Sequence, residues 1–341
     1  MKKSSISLVA SACATTEQKP IALATLSPRD ATWDKRRSET QDVSNLYNTT
    51  GRYKRLALRM SKCSCSLGFS ESINMETGEI GIKLKSAIFC HARHCPVDSW
   101  RRGLRNIARF HEKLPLIMED FPNAQWLFLT LTVKNPEMSD LRLTLNKMNH
   151  AWQKMIQRKT WKIVGYIRTT EITKGTDGNP HPHFHVLLLV TPGYFKGGVY
   201  LSQSKWSEIW QDCLDVDYMP IVHIQRVKAK SDKSKALEET GDIQAALNAA
   251  VKETLKYSVK PADVINDPEF LFGLTEQLHK LRFLATGGVL KDFLSEVVDD
   301  EEMIVTGSEE GDKEEEKEDK PKLFFNWRTD EKKYRKRVNT V

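Results

Sequence analysis

The sequence has no apolar run that approaches the roughly 18 residues a membrane-spanning helix requires. Residues 1–13 carry two lysines and a short apolar run ahead of a cysteine, but serines interrupt that run, so we expect no export signal. Six cysteines are also too few for a disulfide scaffold in a chain of 341 residues. These absences argue against membrane proteins and disulfide-rich secreted proteins, and they favour a cytoplasmic protein.

Positive charge dominates the chain outside one acidic segment. The formal net charge is +7, yet residues 299–320 hold twelve acidic residues against three lysines. That segment therefore carries −9, which leaves +16 for the remainder. A basic body suits a polyanionic partner, since each lysine or arginine placed near a phosphate releases counterions. Nucleic acid is the partner class that this charge favours.

Composition divides the chain into four regions. Residues 1–50 are rich in Ser, Thr, Asp and Gln without sustained periodicity, which predicts a disordered leader. Residues 52–113 hold four of the six cysteines, followed by a basic segment with helical spacing. Residues 124–295 carry the clearest strand and helix patterns and are expected to form the main domain. Residues 296–341 are an acidic run and then a basic arm, and both are predicted to be disordered.

Strands and helices alternate through the main domain. Apolar, β-branched and aromatic runs predict strands at 126–133, 164–173, 183–190 and 221–227. Helical spacing predicts helices at 139–159, 202–214 and 239–259, the last of them stopped by Pro261. Turn residues within 175–180 predict a hairpin between two of the strands. The pattern indicates an α+β fold with helices packed on a sheet.

Paired histidines are the most informative local feature. His183 and His185 are two residues apart on a predicted strand, so both imidazoles should point to the same face. Neutral imidazoles bind divalent metals, and Glu171 on the hairpin partner strand is the candidate third ligand. The alternative is that both histidines are simply polar residues of the core or the surface.

A second feature lies downstream, in the stretch KETLKYSVK. Glu253 and Tyr257 are four residues apart on a predicted helix and should share a face. A tyrosine hydroxyl can act as a covalent nucleophile, and a glutamate can act as a base for water. A tyrosine at this spacing is, on its own, more often a packing residue.

Together these motifs resemble the HUH endonucleases that initiate rolling-circle replication of plasmids, within them the single-tyrosine group of staphylococcal plasmids. Three stretches of this chain resemble the family's first motif, its His-hydrophobic-His motif and its tyrosine motif, in this order. They are FLTLTVKN (128–135), HPHFHVLLLV (181–190) and KETLKYSVK (252–260). The stretch FCHARHCPVDSWRR (89–102) is similar to the family's cysteine motif. The resemblance implies a five-stranded antiparallel palm with flanking helices, a small N-terminal Cys/His module that resembles a zinc-binding one, and disordered tails.

The resemblance also implies roles for individual residues. His183 and His185, with Glu171, would bind Mg or Mn, and Tyr257 would attack a phosphodiester at the double-strand origin, in a hairpin single strand. The products are a 5′-phosphotyrosine and a 3′-hydroxyl for the host polymerase, while a host helicase opens the duplex. Glu253 matches the position that activates water to end the round, and Lys260 matches the family's basic residue, which would steady the scissile phosphate. Whether His181 also binds metal stays open.

The cysteine module departs from the family pattern at one position. Asp98 stands where the family usually shows a second cysteine after Cys-Pro. Cys63 or Cys65 with Cys90 and Cys95 supplies three thiolates for a structural zinc. Its fourth ligand is one of three residues: Asp98, His91 or His94. The alternative is a set of free buried thiols.

The basic segment after the module offers a candidate DNA-binding surface. Arg101, Arg102 and Arg105 lie on the predicted helix, with Arg109 one turn further, where they could contact phosphates. A solvated helix face explains them nearly as well.

Two other functions compete with the nicking hypothesis. A conjugative relaxase uses similar metal chemistry, but its tyrosine normally precedes the histidines, whereas Tyr257 follows His185. A zinc-containing DNA-binding regulator would explain the basic charge but not the histidines near a Glu/Tyr pair. Covalent linkage to DNA distinguishes the nicking enzyme from the regulator.

Overall fold

The computed structural model describes residues 19–73, 78, 80–196, 199–227, 239–256, 258–291 and 323–338. Its helices are α1 Leu23–Leu26, α2 Thr32–Asn48, α3 Lys54–Ser61, α4 Pro96–Asp120, α5 Leu141–Ile156, α6 Gln203–Leu214, α7 Glu239–Thr254, α8 Pro261–Ile265 and α9 Pro268–Gln277. Its strands are β1 Ser66–Ile73, β2 Ile80–Ala87, β3 Gln125–Thr132, β4 Gly165–Lys174, β5 Pro180–Val190, β6 Val222–Arg226, β7 Leu284–Gly288, β8 Leu323–Arg328 and β9 Lys333–Lys336. The α+β class is confirmed. None of the helices in these ranges is long and apolar enough to cross a membrane.

The larger sheet holds five described strands in the order β6-β3-β5-β4-β7, all paired antiparallel. Its central strand β5 is buried on both faces. Phe184 packs against Trp152 of α5 and Trp210 of α6 on one face. Leu187, on the opposite face, shares a core cluster with residues of α4 and α7. This two-sided burial explains why β5 reads as a continuous apolar run.

The predicted hairpin between the fourth and fifth strands is confirmed. Gly175 N donates to Asn179 O, and Gly178 N donates to Gly175 O, which closes the turn. Gly178 has φ +83°, a left-handed conformation that glycine adopts without strain. The turn fixes the register in which Glu171 faces His183 across the pair.

A smaller sheet has the order β2-β1-β8-β9 among the described strands, so the C-terminal strands complete a sheet begun near residue 66. The prediction of a disordered tail is therefore wrong for residues 323–336. Phe325 and Tyr334 are fully buried, and the Tyr334 hydroxyl donates to Ser64 O at 2.6 Å. The acidic segment 296–320 lies outside the described residues.

The prediction of a disordered leader is also wrong for most of its length. Helix α2 buries Trp33, Val43 and Tyr47 in the main core, while residues 1–18 lie outside the described part. Between these apolar residues its inner face carries Arg37, whose guanidinium donates to Ser61 O and lies over the Trp327 ring. A buried arginine on the inner face hides the helical period that apolar residues would otherwise show.

The long helix predicted over 239–259 ends early. Helix α7 stops at Thr254, and Ser258 O then accepts a hydrogen bond from Ile172 N, so the chain runs beside β4. Lys260 is extended (ψ 128°) because Pro261 follows it. Glu253 lies on α7, and Tyr257 lies outside the described residues, so the expected one-face spacing of this pair stays a prediction.

Candidate active site

Three ligand side chains meet on one face of the β4–β5 hairpin. The antiparallel register sets Glu171 opposite His183 and Thr169 opposite His185. Residues two apart on a strand share a face, so these side chains lie on the side of the sheet covered by α4 and α7. Glu171 Oε2 lies 3.0 Å from His183 Nε2 and 2.8 Å from His185 Nε2. Glu171, His183 and His185 are called the triad below.

The Nδ1 atoms of both imidazoles contact groups outside the triad. His183 Nδ1 lies 3.1 Å from His181 O, and because a carbonyl only accepts, Nδ1 carries the hydrogen. His185 Nδ1 lies 3.2 Å from Thr130 Oγ1, and its ring stacks on Phe128 with centroids 5.4 Å apart. These contacts direct both Nε2 atoms toward Glu171, as second-sphere partners of metal-binding histidines do.

The donor set fits a divalent cation. The three ligand atoms lie within 4.8 Å of one another and all three residues are buried. Glu171 Oε1 is buried without a hydrogen-bond partner in the described structure. Two imidazoles and one carboxylate leave coordination positions open for a substrate oxygen.

Lys256 is a site residue that the sequence analysis did not identify. Its Nζ lies 3.0 Å from Glu171 Oε2 and also pairs with Glu253. Burial lowers the pKa of Lys256, but its bonds to Glu253 and Glu171 outweigh burial and raise it. Burial on its own raises the pKa of the Glu171 carboxyl. Its bonds with His183, His185 and Lys256 outweigh burial and hold that pKa well below its ordinary value. The centre is thus an ionised carboxylate ringed by cationic and imidazole groups.

Other predicted site residues lie at different distances from the triad. Glu253 Oε1 is 3.8 Å from His185 Nε2, so the carboxylate reaches the edge of the triad. Lys260 is exposed at the start of α8. Tyr257 lies outside the described residues. His181 is not grouped with the triad, and its Nδ1 lies 2.6 Å from Asn135 Oδ1.

A second buried cluster joins Cys63, Cys90, Cys95 and Asp98, and is called the cysteine cluster below. Asp98 Oδ2 lies 2.9 Å from Cys90 Sγ and 3.4 Å from Cys63 Sγ. Cys95 Sγ lies 3.7 Å from Cys63 Sγ. A tetrahedron with Zn–S bonds of about 2.3 Å has edges of roughly 3.8 Å, so this spacing fits zinc.

Burial and crowding perturb the groups of the cysteine cluster. Burial raises the pKa of Asp98 to about 7, and the charge of Cys95 adds to the rise. Burial opposes ionisation of Cys95, but hydrogen bonds from Cys63 and Cys90 outweigh it and bring its pKa well below the ordinary value. A thiolate beside further ionisable thiols and a carboxylate is a donor set that a cation stabilises.

The structure separates the alternatives left open for this cluster. Cys65 is exposed and donates to Ser61 O, so Cys63 is the cysteine that joins Cys90 and Cys95. Asp98 is the fourth residue of the cysteine cluster. His94 is buried but stands apart from the cluster, and His91 is exposed.

The predicted basic helix is α4, but its arginines do not share one role. The Arg101 guanidinium lies over the Trp33 and Trp100 rings, and burial lowers its pKa. Arg102 is exposed and lines a cleft beside the triad, and Arg105 is half-buried. Neighbouring residues on a helix diverge by about 100°, so adjacent arginines face different surroundings.

Comparison with known proteins shows which protein family the chain resembles. A family model described as "Replication protein" matches residues 81–335. The chain is 37% identical over 247 residues to "Protein rep" of Lactiplantibacillus plantarum, covering 68% of this chain and 75% of that protein. It is 37% identical over 261 residues to "Protein rep" of Bacillus amyloliquefaciens, covering 72% and 74%. It is also 37% identical over 186 residues to "Replication protein" of Staphylococcus aureus, covering 52% and 75%. No solved structure matches.

Proposed function

The chain belongs to this family of replication proteins, and from that membership we propose that it initiates plasmid replication by nicking one DNA strand. The nick falls at the double-strand origin, in the cytoplasm, and the five-stranded sheet serves as the palm of an HUH endonuclease. The observation that carries the proposal is the convergence of Glu171, His183 and His185 on one face of the central hairpin. Host polymerase and helicase complete the replication machinery.

The triad is the proposed site of a divalent cation, Mg or Mn. A cation bound there acts as a Lewis acid that polarises an oxygen of the scissile phosphate. Thr130 and the His181 carbonyl orient the two imidazoles for this purpose. Glu171 supplies the negative charge, which its low pKa maintains at neutral pH.

Tyr257 is the proposed nucleophile. Its hydroxyl oxygen bonds to phosphorus, the bond from phosphorus to the 3′ oxygen breaks, and that oxygen takes a proton. The products are a 5′-phosphotyrosine and a 3′-hydroxyl that primes synthesis. Support comes from the sequence neighbours of Tyr257, because Lys256 contacts Glu171, and Ser258 O bonds to Ile172 N beside it.

Lys256 and Glu253 have separate proposed roles in this site. The Lys256 ammonium lies where a phosphate oxygen at the triad would meet it, so it stabilises charge that develops during attack. Glu253 takes a proton from water and ends the round by hydrolysis, and its half-exposed position at the triad's edge admits water. The phosphate-steadying role predicted for Lys260 stays a prediction.

The cysteine cluster is the proposed site of one structural zinc. Cys63, Cys90, Cys95 and Asp98 are its ligands, and Cys65 is not. Because it holds no open catalytic position, its role is to stabilise the fold around the start of α4.

Covalent capture tests the proposal. Supercoiled plasmid carrying this gene is incubated with the protein and Mn²⁺, then denatured with detergent. We expect relaxed plasmid and a DNA adduct that survives denaturation with the wild-type chain. Tyr257→Phe, His185→Ala and a chelator should each remove the adduct. An undiminished adduct from Tyr257→Phe would contradict the assignment of the nucleophile.

A further inference from the structure

We propose that a cleft beside the triad binds the sugar-phosphate backbone of the single DNA strand that flanks the nick. The cleft has a volume of about 250 Å³ and is lined by arginines from three segments: Arg93, Arg102 and Arg282. It is called the arginine cleft below. The inference rests on the proposed function, since it names where that function holds its substrate.

The arginine cleft adjoins the triad directly. Thr169, which lines it, lies two residues before Glu171 on β4, about 7 Å away on the same face. Lys256 and Ser258, which flank Tyr257 in sequence, also line it. A strand with one phosphate at the triad therefore places a neighbouring phosphate at the cleft.

The cleft concentrates positive charge, and of its cationic lining residues Lys256 pairs with the carboxylates of Glu171 and Glu253. No carboxylate occurs among its lining residues in the described part of the chain. Arg102 and Arg282 are exposed and form no ion pair with any described residue. Like charges held together repel one another, and an anion between them relieves that repulsion.

The Arg93 side chain is already held in place by contacts within the protein. Its Nη2 donates to Leu281 O at 2.6 Å, and its guanidinium lies 4.4 Å from the centroid of Phe283. Burial and then the charge of Arg102 lower the pKa of Arg93 to about 10, so it keeps its charge at neutral pH. A held guanidinium loses little freedom when it binds a phosphate.

Residues of the cysteine cluster lie on the same chain segments as two of the cleft arginines. Arg93 lies between Cys90 and Cys95, and Arg102 follows Asp98 by one turn of α4. At Gly103 the helix comes so close to α7 that an added Cβ would lie 3.0 Å from Leu255 O. The cluster thus positions two of the three arginines against the end of α7.

Salt-dependent binding of a short fluorescent oligo-dT strand tests the cleft. Each single-strand phosphate contact contributes about 0.7 to the slope of log affinity against log salt. Arg102→Gln and Arg282→Gln should each reduce the slope by about 0.7, and the double variant by about 1.4. Arg328→Gln is the matched control, because Arg328 is exposed on β8 and does not line the cleft.

Two results overturn the proposal: wild-type slopes in both cleft variants, or an equal loss with Arg328→Gln. A reduced slope that occurs only with duplex DNA of the same length also overturns the proposal, since the cleft would then bind a duplex. Covalent capture with the wild-type chain on its own plasmid separates the two claims. An adduct with unchanged slopes refutes the cleft alone, whereas no adduct refutes the proposed function.

Discussion

At the scale of single residues, the Thr130 hydroxyl contacts one histidine of the triad. It lies 3.2 Å from His185 Nδ1 on the neighbouring strand β3, and it fixes which nitrogen of that ring faces Glu171. Thr132, two residues along, donates instead to Ile221 O at 2.9 Å. Of these two threonines on one strand, Thr130 contacts a triad histidine and Thr132 contacts a backbone carbonyl.

Thr130→Val should weaken Mn²⁺ binding about 10- to 100-fold, because His185 loses the partner of its Nδ1. Nicking should recover at high metal concentration. Calorimetric titration with Mn²⁺ measures the affinity, and Thr132→Val serves as the matched control with near-wild-type binding. Equal affinities for the two variants would show that Thr130 does not orient His185.

Glu253→Gln should separate initiation from termination. The variant keeps the tyrosine and the triad, so it should still form the covalent adduct. It lacks the base for water, which typically contributes about 10²–10⁴-fold, so overlong multimeric single strands should accumulate in a plasmid replication assay. Loss of the first nick as complete as in Tyr257→Phe would instead make Glu253 a metal ligand, which its 3.8 Å approach to His185 would then explain.

The triad was predictable residue by residue, and Lys256 was not. A period of two on a strand fixes the faces of His183 and His185, and a short hairpin limits the partner to a carboxylate near its turn. Lys256 reaches Glu171 only because α7 ends at Thr254, and the sequence predicted helix past that point. The choice of Cys63 over Cys65 likewise depends on tertiary packing.

At the scale of elements, local patterns identified strands that carry their own signal. β3 and β5 are largely apolar, β4 and β6 carry β-branched residues, and all four were predicted. β7 was missed because its sequence LATGG is short and rich in glycine. β8 pairs with β1, more than 250 residues earlier in the chain, and β9 pairs with β8, so no local window contains the information that forms this half of the sheet.

Phe325→Ala should destabilise the protein by about 3–5 kcal/mol, since a fully buried aromatic leaves a cavity. Phe325 packs edge-on against Phe69 of β1, with centroids 5.8 Å apart. Its neighbour Phe324 lies on the opposite face of β8 and is half-buried, so Phe324→Ala should cost less. Urea unfolding of the full chain measures both. Equal, negligible effects of the two substitutions on stability would contradict the conclusion that the C-terminal strands are part of the fold.

At the scale of the whole molecule, the N-terminal and C-terminal segments share one core with the central sheet. A single hydrophobic cluster runs from Leu23 through Leu129 to Tyr334. The cysteine cluster joins α4 to the smaller sheet, because Cys63 lies three residues before β1 and Asp98 lies in the first turn of α4. A metal bound at this junction would link parts of the chain that are distant in sequence.

Purified protein should contain about one zinc per chain. Cys63→Ser and Asp98→Asn should lose it or bind it more weakly, while Cys65→Ser should retain it, because Cys65 stands outside the cluster. Elemental analysis gives the stoichiometry, and thermal unfolding with and without a chelator shows whether the metal stabilises the fold. Zinc absent from the wild-type chain would favour free buried thiols instead.

The central claim is that a tyrosine of this chain becomes joined to the 5′ phosphate of the nicked strand. Mass spectrometry of the trypsin-digested adduct tests it most directly, because cleavage after Lys256 yields a peptide that begins at Tyr257. We predict a nucleotide phosphate on Tyr257, formed only with divalent metal. A modification on another residue, or nicked DNA with no protein attached, would contradict the account.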